Sequence, residues 1–336
     1  MRRRTLFKAL LPAALLSPAG LWRGRAAAQP ATAGAGRWAP DRPLRLVVPF
    51  AAGGPADIFG RVFAEALAAR LGQPVVTENR GGAGGVIGTD AVAKAAPDGH
   101  TLAFTGAGAL AIAPAMPRRM PFDVYRDLAH LTLVVRVPEV LVVNARSAHA
   151  SLADLVAAAK AKPGDLSYGS AGAGSITHLA GALLAKEAGM DVVHVPYRGV
   201  APAATDLLAE RIAFLIADVP VLRPHIDAGA LRPLAVTTAR RIAVLPGVPT
   251  TAELGLPRVV SDNWYGLGVP AATPAPIQER LSEVAAAALR APELTRTFER
   301  QGGEAAPLGR DEYLAFLRAE GAKWGPLVRE TGAESL

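Results

Sequence analysis

The chain has 336 residues, of which 51% are hydrophobic and 19% charged, a composition that supports a sizeable buried core and, at this length, two domains. Its formal charge of +7 is concentrated at the start: Arg2, Arg3, Arg4, Lys8, Arg23 and Arg25 are six of the 36 basic residues, leaving 30 basic against 29 acidic residues in the remainder. That near-neutral remainder argues against nucleic-acid binding, which needs a clustered basic face, and the absence of cysteine excludes disulfides, a lipoprotein anchor, thiolate metal sites and cysteine nucleophiles.

Residues 1–33 combine a basic start, a short apolar run and small residues suited to cleavage after Ala28 or Ala33, which predicts an export signal removed on arrival in the periplasm. The apolar run 9–19 is broken by Pro12 and Pro18 and is too short to span a bilayer. Within the basic start, Arg3-Arg4-Thr5-Leu6-Phe7-Lys8 resembles a twin-arginine targeting pattern; an ordinary secretory signal is the alternative.

Short apolar runs then alternate with helical patterns. A strand is predicted at 44–49, a helix at 57–71 stopped by Gly72, a strand at 73–79, a helix at 86–95 after the glycine loop 81–85, and a third strand after the Pro97-Asp98-Gly99 turn. At 133–143, LVVRVPEVLVV, the pattern becomes one long extended run that reads as a crossing between domains; Ser151 then caps a helix reaching 162. A second series follows, with strands in LSYGS, DVVHVP, RIAFLIADVP and LRPLAVTT, a helix starting near Ser175 and another at 202–210. After the proline-rich connection 245–257, VVSDNWYGLGVPA forms a second crossing, where Trp264 and Tyr265 are expected to pack the hinge, and helices at 276–290 and 311–331 end the chain. Alternating strands and helices predict an α/β fold, each lobe a mostly parallel sheet flanked by helices. Two crossings predict a discontinuous first lobe, 38–138 plus 262–336, around a second lobe, 139–261.

Two strand-to-helix turns are rich in glycine: AAGGPAD at 51–57 and GSAGAGS at 169–175. Such a turn aims several backbone N–H groups, backed by the helix dipole, at one spot that favours an anion. A nucleotide phosphate loop would need lysine and a hydroxyl residue after its last glycine, whereas Gly54 is followed by Pro55-Ala56-Asp57, and neither AAGGPAD nor the glycine loop GGAGGVIG at 81–88 supplies a dinucleotide fingerprint. Ser170 or Ser175 with His178, and Asp218 as a third partner, is the rival hydrolase arrangement, but no G-x-S-x-G elbow is present and Ser175 with His178 reads as a helix start. The remaining histidines lack metal-ligand spacing. Tyr197 and Arg198 follow a strand, which puts them at its carboxyl end, where open α/β sheets bind ligands; Arg198 is either a counter-charge for a carboxylate or a rim residue. Asp218 is either cleft-lining or a solvated cap.

Taken together, RPLRLVVPFAAGGPADIFGR, LGQPVVTENRGGAGGVIGTDAVAKAAPDGHTL, SYGSAGAGSITHLAG, HVPYRGVAPAATDLLA, LRPLAVTTARR, LPGVPTTAELG and the late Lys323-Trp324 resemble the substrate-binding proteins of tripartite tricarboxylate transporters, also called Bug receptors. The likeness runs from about residue 42 to 324 in the same order. It implies a type II periplasmic binding (Venus-flytrap) fold with one carboxylate-bearing ligand enclosed between the lobes and held largely by backbone N–H groups and ordered waters. The candidate ligand-binding residues are Phe50, Ala51, Ala52, Gly53, Gly54 and Asp57 at the first turn, Thr105 and Gly106 after the third strand, Ser170, Ala171, Gly172, Gly174, Ser175 and His178 at the second turn, and Tyr197, Arg198 and Asp218. No reaction, cofactor or metal is expected. The implied partners are a di- or tricarboxylate, acidic amino acid or aromatic acid, and membrane transporter subunits or a sensor protein; the receptor itself is expected to be a monomer.

Overall fold

The computed structural model describes residues 37–332 apart from 118; the expected export signal lies outside them. The opening βα series forms as its pattern predicts. Strand β1 (Leu44–Val48) leads to helix α1 (Pro55–Leu71), which begins with proline in its first turn and ends at Gly72, whose φ of 71° supplies the left-handed stop. Phe59, Phe63 and Leu67 lie four residues apart on one face of α1 and are fully buried against the sheet. Strand β2 (Val75–Asn79), helix α2 (Val86–Ala93) and strand β3 (Thr101–Gly106) complete the unit, with β1 pairing in parallel with both β2 and β3.

Strand β4 (Leu128–Asn144) extends the predicted crossing to 17 residues. Its first part pairs antiparallel with β9 (Asp262–Pro270), ending at Pro138 opposite Asp262; from Glu139 onward it pairs with β7 (Phe214–Asp218) and, from Val140, with β8 (Leu231–Val236). Pro138 lacks a donor N–H, and it stands where β4 changes partners, so the missing ladder bond interrupts neither half. The second series contains α3 (Leu152–Ala161), β5 (Ser167–Ser170), α4 (Ile176–Ala188), β6 (Val193–Pro196) and α5 (Val200–Leu208), with β5 parallel to β6 and β7. Helix α3 starts in a full capping box, Ser151 Oγ accepting from the Asp154 amide while Asp154 Oδ2 accepts from the Ser151 amide. The βα strands therefore pair in parallel, and the antiparallel pairings come from β4 and β9, which run between or alongside them. The strand order is β2-β1-β3-β9-β4-β7-β5-β6, with β8 and the short β10 (Glu304–Ala305) also paired to β4.

Two helices depart from the expected elements. Helix α6 (Val219–Asp227) follows β7 directly, in a stretch for which no helix is expected: Pro220 falls in the opening turn, where its missing N–H is unneeded, and packing of Val219 and Leu222 retains Pro224. Helix α8 (Pro292–Arg300) stands between α7 (Ala275–Leu289) and α9 (Arg310–Thr331); its buried face is only Leu294 and Phe298, too sparse to show in a periodic reading. Trp264 and Tyr265 are buried on β9, as expected of hinge packing, with the Tyr265 ring stacked on Phe104 at 5.3 Å. Ile176 and Leu179 of α4 join the apolar cluster of Leu110, Met116, Trp324 and Leu327, so α4 of the second series packs directly against α9.

Candidate functional site

The first glycine turn is held open by a network of side chains. Gly53, at φ 80°, donates its N–H to Asp57 Oδ2 at 2.9 Å, and Asn79 at the end of β2 donates to both Asp57 Oδ1 (3.0 Å) and the Phe50 carbonyl (3.1 Å). Arg61 adds an ion pair to Asp57 at 2.9 Å. Burial opposes ionisation of Asp57, but the bonds from Arg61, the Gly53 amide and Asn79 outweigh it and hold the carboxyl below its ordinary range. Asp57 thus braces the turn, and Asn79 is a partner that spacing along the chain does not announce. With the Gly53 amide engaged by Asp57, the amides of Ala51, Ala52 and Gly54 ahead of α1 are among those at the turn, with Phe50 and Ala56, that have no hydrogen-bond partner among the described residues. These are the N–H groups a helix start offers to an anion.

At the second turn, Ser170 is fully buried, its Oγ hydrogen-bonded to His194 Nε2 at 2.6 Å and to the Gly172 carbonyl at 3.1 Å. Ser175 caps α4 by accepting from the His178 amide and donates to the Gly172 carbonyl at 2.6 Å; the Ala171 amide is taken by Thr177 Oγ1 and the Gly174 amide by His178 Nδ1 at 3.1 Å. The hydrolase arrangement is therefore corrected. The His178 imidazole accepts from the Gly174 amide at Nδ1 and bonds to neither serine side chain, its backbone N–H alone reaching Ser175 Oγ, while Ser170 pairs with His194, a residue 24 positions away that local reading left unassigned. The two imidazoles stack at 3.7 Å, and burial lowers His178 to about 4; burial and the neighbouring His178 lower His194 to about 3. Burial keeps both imidazoles neutral, His178 in the first turn of α4 and His194 on β6.

Loop 81–85 brings the two turns to one place. A Cβ at Gly81 would lie 3.3 Å from the Ala51 amide nitrogen, and one at Gly85 3.2 Å from the Phe50 ring, so the loop lies against the first turn. Gly84 faces the Gly174 carbonyl of the second turn at 3.9 Å by the same measure, and Met116 packs so closely on Gly174 that a Cβ there would meet its Cε at 2.0 Å. Thr105 donates to Thr89 Oγ1 at 2.7 Å, because the Thr89 hydroxyl proton is committed to the Gly85 carbonyl. Through that pair Thr105 supports the loop. Gly106 permits the close approach of β3 to β9, where a Cβ would sit 2.0 Å from the Trp264 carbonyl.

The last three candidates separate. Tyr197 touches the second turn through its backbone, but its hydroxyl donates to Asp206 at 2.8 Å; burial and that carboxylate push the phenol to about 12. Arg198 is exposed and has no hydrogen-bond or ion-pair partner among the described residues. Asp218 is buried at the end of β7, opposite Glu139 of β4. Burial pushes the Asp218 carboxyl up to about 7, and burial together with Asp218 pushes Glu139 well above its ordinary range.

These shifts have opposite signs for stability. The raised carboxyls hold protons in the folded state that the unfolded chain has released, so their contribution falls as pH rises from about 4 towards 7; the depressed His130, His178 and His194 contribute stability that is lost as pH falls from about 6.5. Asp218→Asn is accordingly expected to melt higher relative to wild type at pH 7.5 than at pH 4.5. Melting curves at the two pH values check this, and a difference that shrinks with pH contradicts the assignment.

Residues 59–333 match the profile of the tripartite tricarboxylate transporter family receptor. The BugT protein of Bordetella pertussis is 39% identical over 296 residues, covering 88% of this chain and 91% of that protein. An R. palustris protein solved with adipate superimposes with a TM-score of 0.83 at 34% identity, covering 88% and 99% of the two chains. MatC of Rhodopseudomonas palustris, solved with bound malate, gives 0.79 at 28% identity over 86% and 99%. With a two-lobed α/β architecture, and with the match spanning both glycine turns in the relatives, the chain belongs to the tripartite tricarboxylate transporter receptor family.

Proposed function

We propose that the protein is a periplasmic receptor that captures a small organic carboxylate between two lobes, 38–138 with 262–336 and 139–261, and performs no reaction on it. The observation that carries this reading is the convergence of the two glycine turns through loop 81–85, with the Ala51, Ala52 and Gly54 amides left to bind an anion. Adipate and malate in the two related structures are small carboxylates of this kind. The receptor acts as a monomer and delivers its ligand to membrane transporter subunits or to a sensor protein. Native mass spectrometry of protein purified without refolding, followed by calorimetry with the released acid, tests the reading; saturable one-to-one binding is expected, and turnover of ester substrates would overturn it.

Residues 1–33 are proposed to direct export by the twin-arginine route. Replacing Arg3 and Arg4 with lysine is expected to strand the precursor in the cytoplasm, as fractionation would show; undiminished export would assign a secretory-pathway signal instead.

A further inference from the structure

Most of the backbone amides of the second turn are spent inside it. Ala171 donates to Thr177 Oγ1, Gly172 to Ser170 Oγ at 3.1 Å, Gly174 to His178 Nδ1 and Ser175 to the Gly172 carbonyl. The amides of Ala173, Ile176 and Thr177 have no hydrogen-bond partner among the described residues, so they are the N–H groups that this turn and the start of α4 leave for an anion. Ala173 stands between Gly174, held by His178, and Gly172, held by Ser170, which is itself bonded to His194.

The positions of the ring protons follow from this network. Ser175 turns its hydroxyl to the Gly172 carbonyl at 2.6 Å, so in its 2.9 Å contact with Thr177 the threonine is the donor. The Gly172 carbonyl accepts from the Ser175 amide as well, which fills both its lone pairs. The Ser170 hydroxyl is left to donate to His194 Nε2 at 2.6 Å, and the uncharged His194 ring then carries its proton on Nδ1. His178 is the opposite tautomer: its Nδ1 accepts from Gly174, so its proton is on Nε2.

A stack of rings drawn from three strands and α4 fixes both imidazoles. Phe214 of β7 lies 5.4 Å from Tyr168 of β5, Tyr168 5.0 Å from His194 of β6, and His194 3.7 Å from His178 of α4, with successive planes tilted by 17°, 35° and 16°. Gly181 lets α4 come this close, because a Cβ there would meet the Tyr168 ring at 2.2 Å. The Tyr168 hydroxyl adds a bond to the His178 carbonyl at 3.3 Å. Rings packed face to face keep one orientation, which a hydrogen bond through one chosen nitrogen requires.

We propose that His178 and His194 are positioning residues for carboxylate capture: as opposite tautomers they tie down Gly174 and Ser170 on the two sides of Ala173, and so hold the free amides of Ala173, Ile176 and Thr177 towards the anion. This rests on the carboxylate-receptor reading above and deepens it at the second turn. In this role the rings act through the backbone and supply no charge.

Two measurements test this. Long-range proton–nitrogen NMR of the ring nitrogens at neutral pH is expected to show His178 protonated on Nε2 and His194 on Nδ1; the reverse tautomer at either ring overturns the proposal. Calorimetry then compares His178→Asn and His194→Gln, which return an acceptor near the lost nitrogen, with His178→Leu and His194→Leu, which fill the space without one. The probes are citrate, malate, adipate, glutamate and benzoate. For any acid that binds wild type, the amide variants should stay within about threefold and the leucine variants should lose about tenfold, the size of one hydrogen bond at the strong end of the neutral range. Melting temperatures separate positioning from simple packing, since leucine fills the ring's volume and should melt no lower than the amide variants. Affinities that follow melting temperature, or leucine variants that bind like wild type, overturn the positioning role and leave the carboxylate reading intact. Failure of every acid removes both readings, and the wild-type tautomers decide the matter even if a variant fails to fold.

Discussion

Gly53→Pro is expected to weaken carboxylate binding by roughly hundredfold or more, about 2.8 kcal/mol at 1.4 kcal/mol per tenfold. Gly53 holds φ at 80°, whereas proline fixes it near −65°, so the turn must reorganise. Proline also removes the N–H that Asp57 accepts, leaving a buried carboxylate one bond short, and the neighbouring Ala52 and Gly54 amides lose their common direction. Gly174→Pro combines φ 71°, loss of the bond to His178 Nδ1 and collision with Met116, and should fall in the same range. Ser175→Ala loses one helix cap, on the order of 1 kcal/mol or about fivefold. Arg198→Ala should stay within about threefold, because an exposed side chain without partners contributes a screened charge. Calorimetry on the four variants with one carboxylate ligand, with circular dichroism to confirm folding, checks the order. An Arg198→Ala loss equal to that of Gly53→Pro would transfer the anion anchor from backbone amides to the arginine.

Glu320→Ala is expected to destabilise the fold by about 3–5 kcal/mol, the cost of leaving two buried donors without an acceptor together with lost packing. Glu320 lies on α9, and its Oε2 accepts from the indole of Trp264 at 2.9 Å and from that of Trp324 at 3.0 Å. Both tryptophans are fully buried, and Trp264 sits on the strand that carries the second crossing. Water cannot replace the carboxylate without opening the packing around two large rings. At roughly 2–4 °C per kcal/mol for a chain of this size, the melting temperature should fall on the order of 10 °C. Glu320→Gln retains an acceptor oxygen and should lose clearly less. A urea titration would test both variants; a Glu320→Ala loss below about 1 kcal/mol would show that the indole donors find other partners.

What the sequence by itself determined was local: the order of strands and helices, the glycine turns after β1 and β5, the Ser151 and Ser175 caps, and the extended crossing through Pro138. Each depends on residues within a few positions of one another, on side-chain period, backbone freedom at glycine or a hydroxyl three residues from an amide. Helices α6 and α8 were not legible, because internal proline in one and a two-residue apolar face in the other hide the period that tertiary packing enforces. The site was legible as two turns but not as a set of partners. Only the folded chain decides that Asp57 engages the Gly53 amide, that His178 serves Gly174 while His194 takes Ser170, that Tyr197 bonds to Asp206, and that Glu139 meets Asp218 from a strand 79 residues away. Those pairings are made by sheet register and helix docking, whose partners are distant in the chain, and no spacing along the sequence encodes which donor will find which acceptor once both are withdrawn from water.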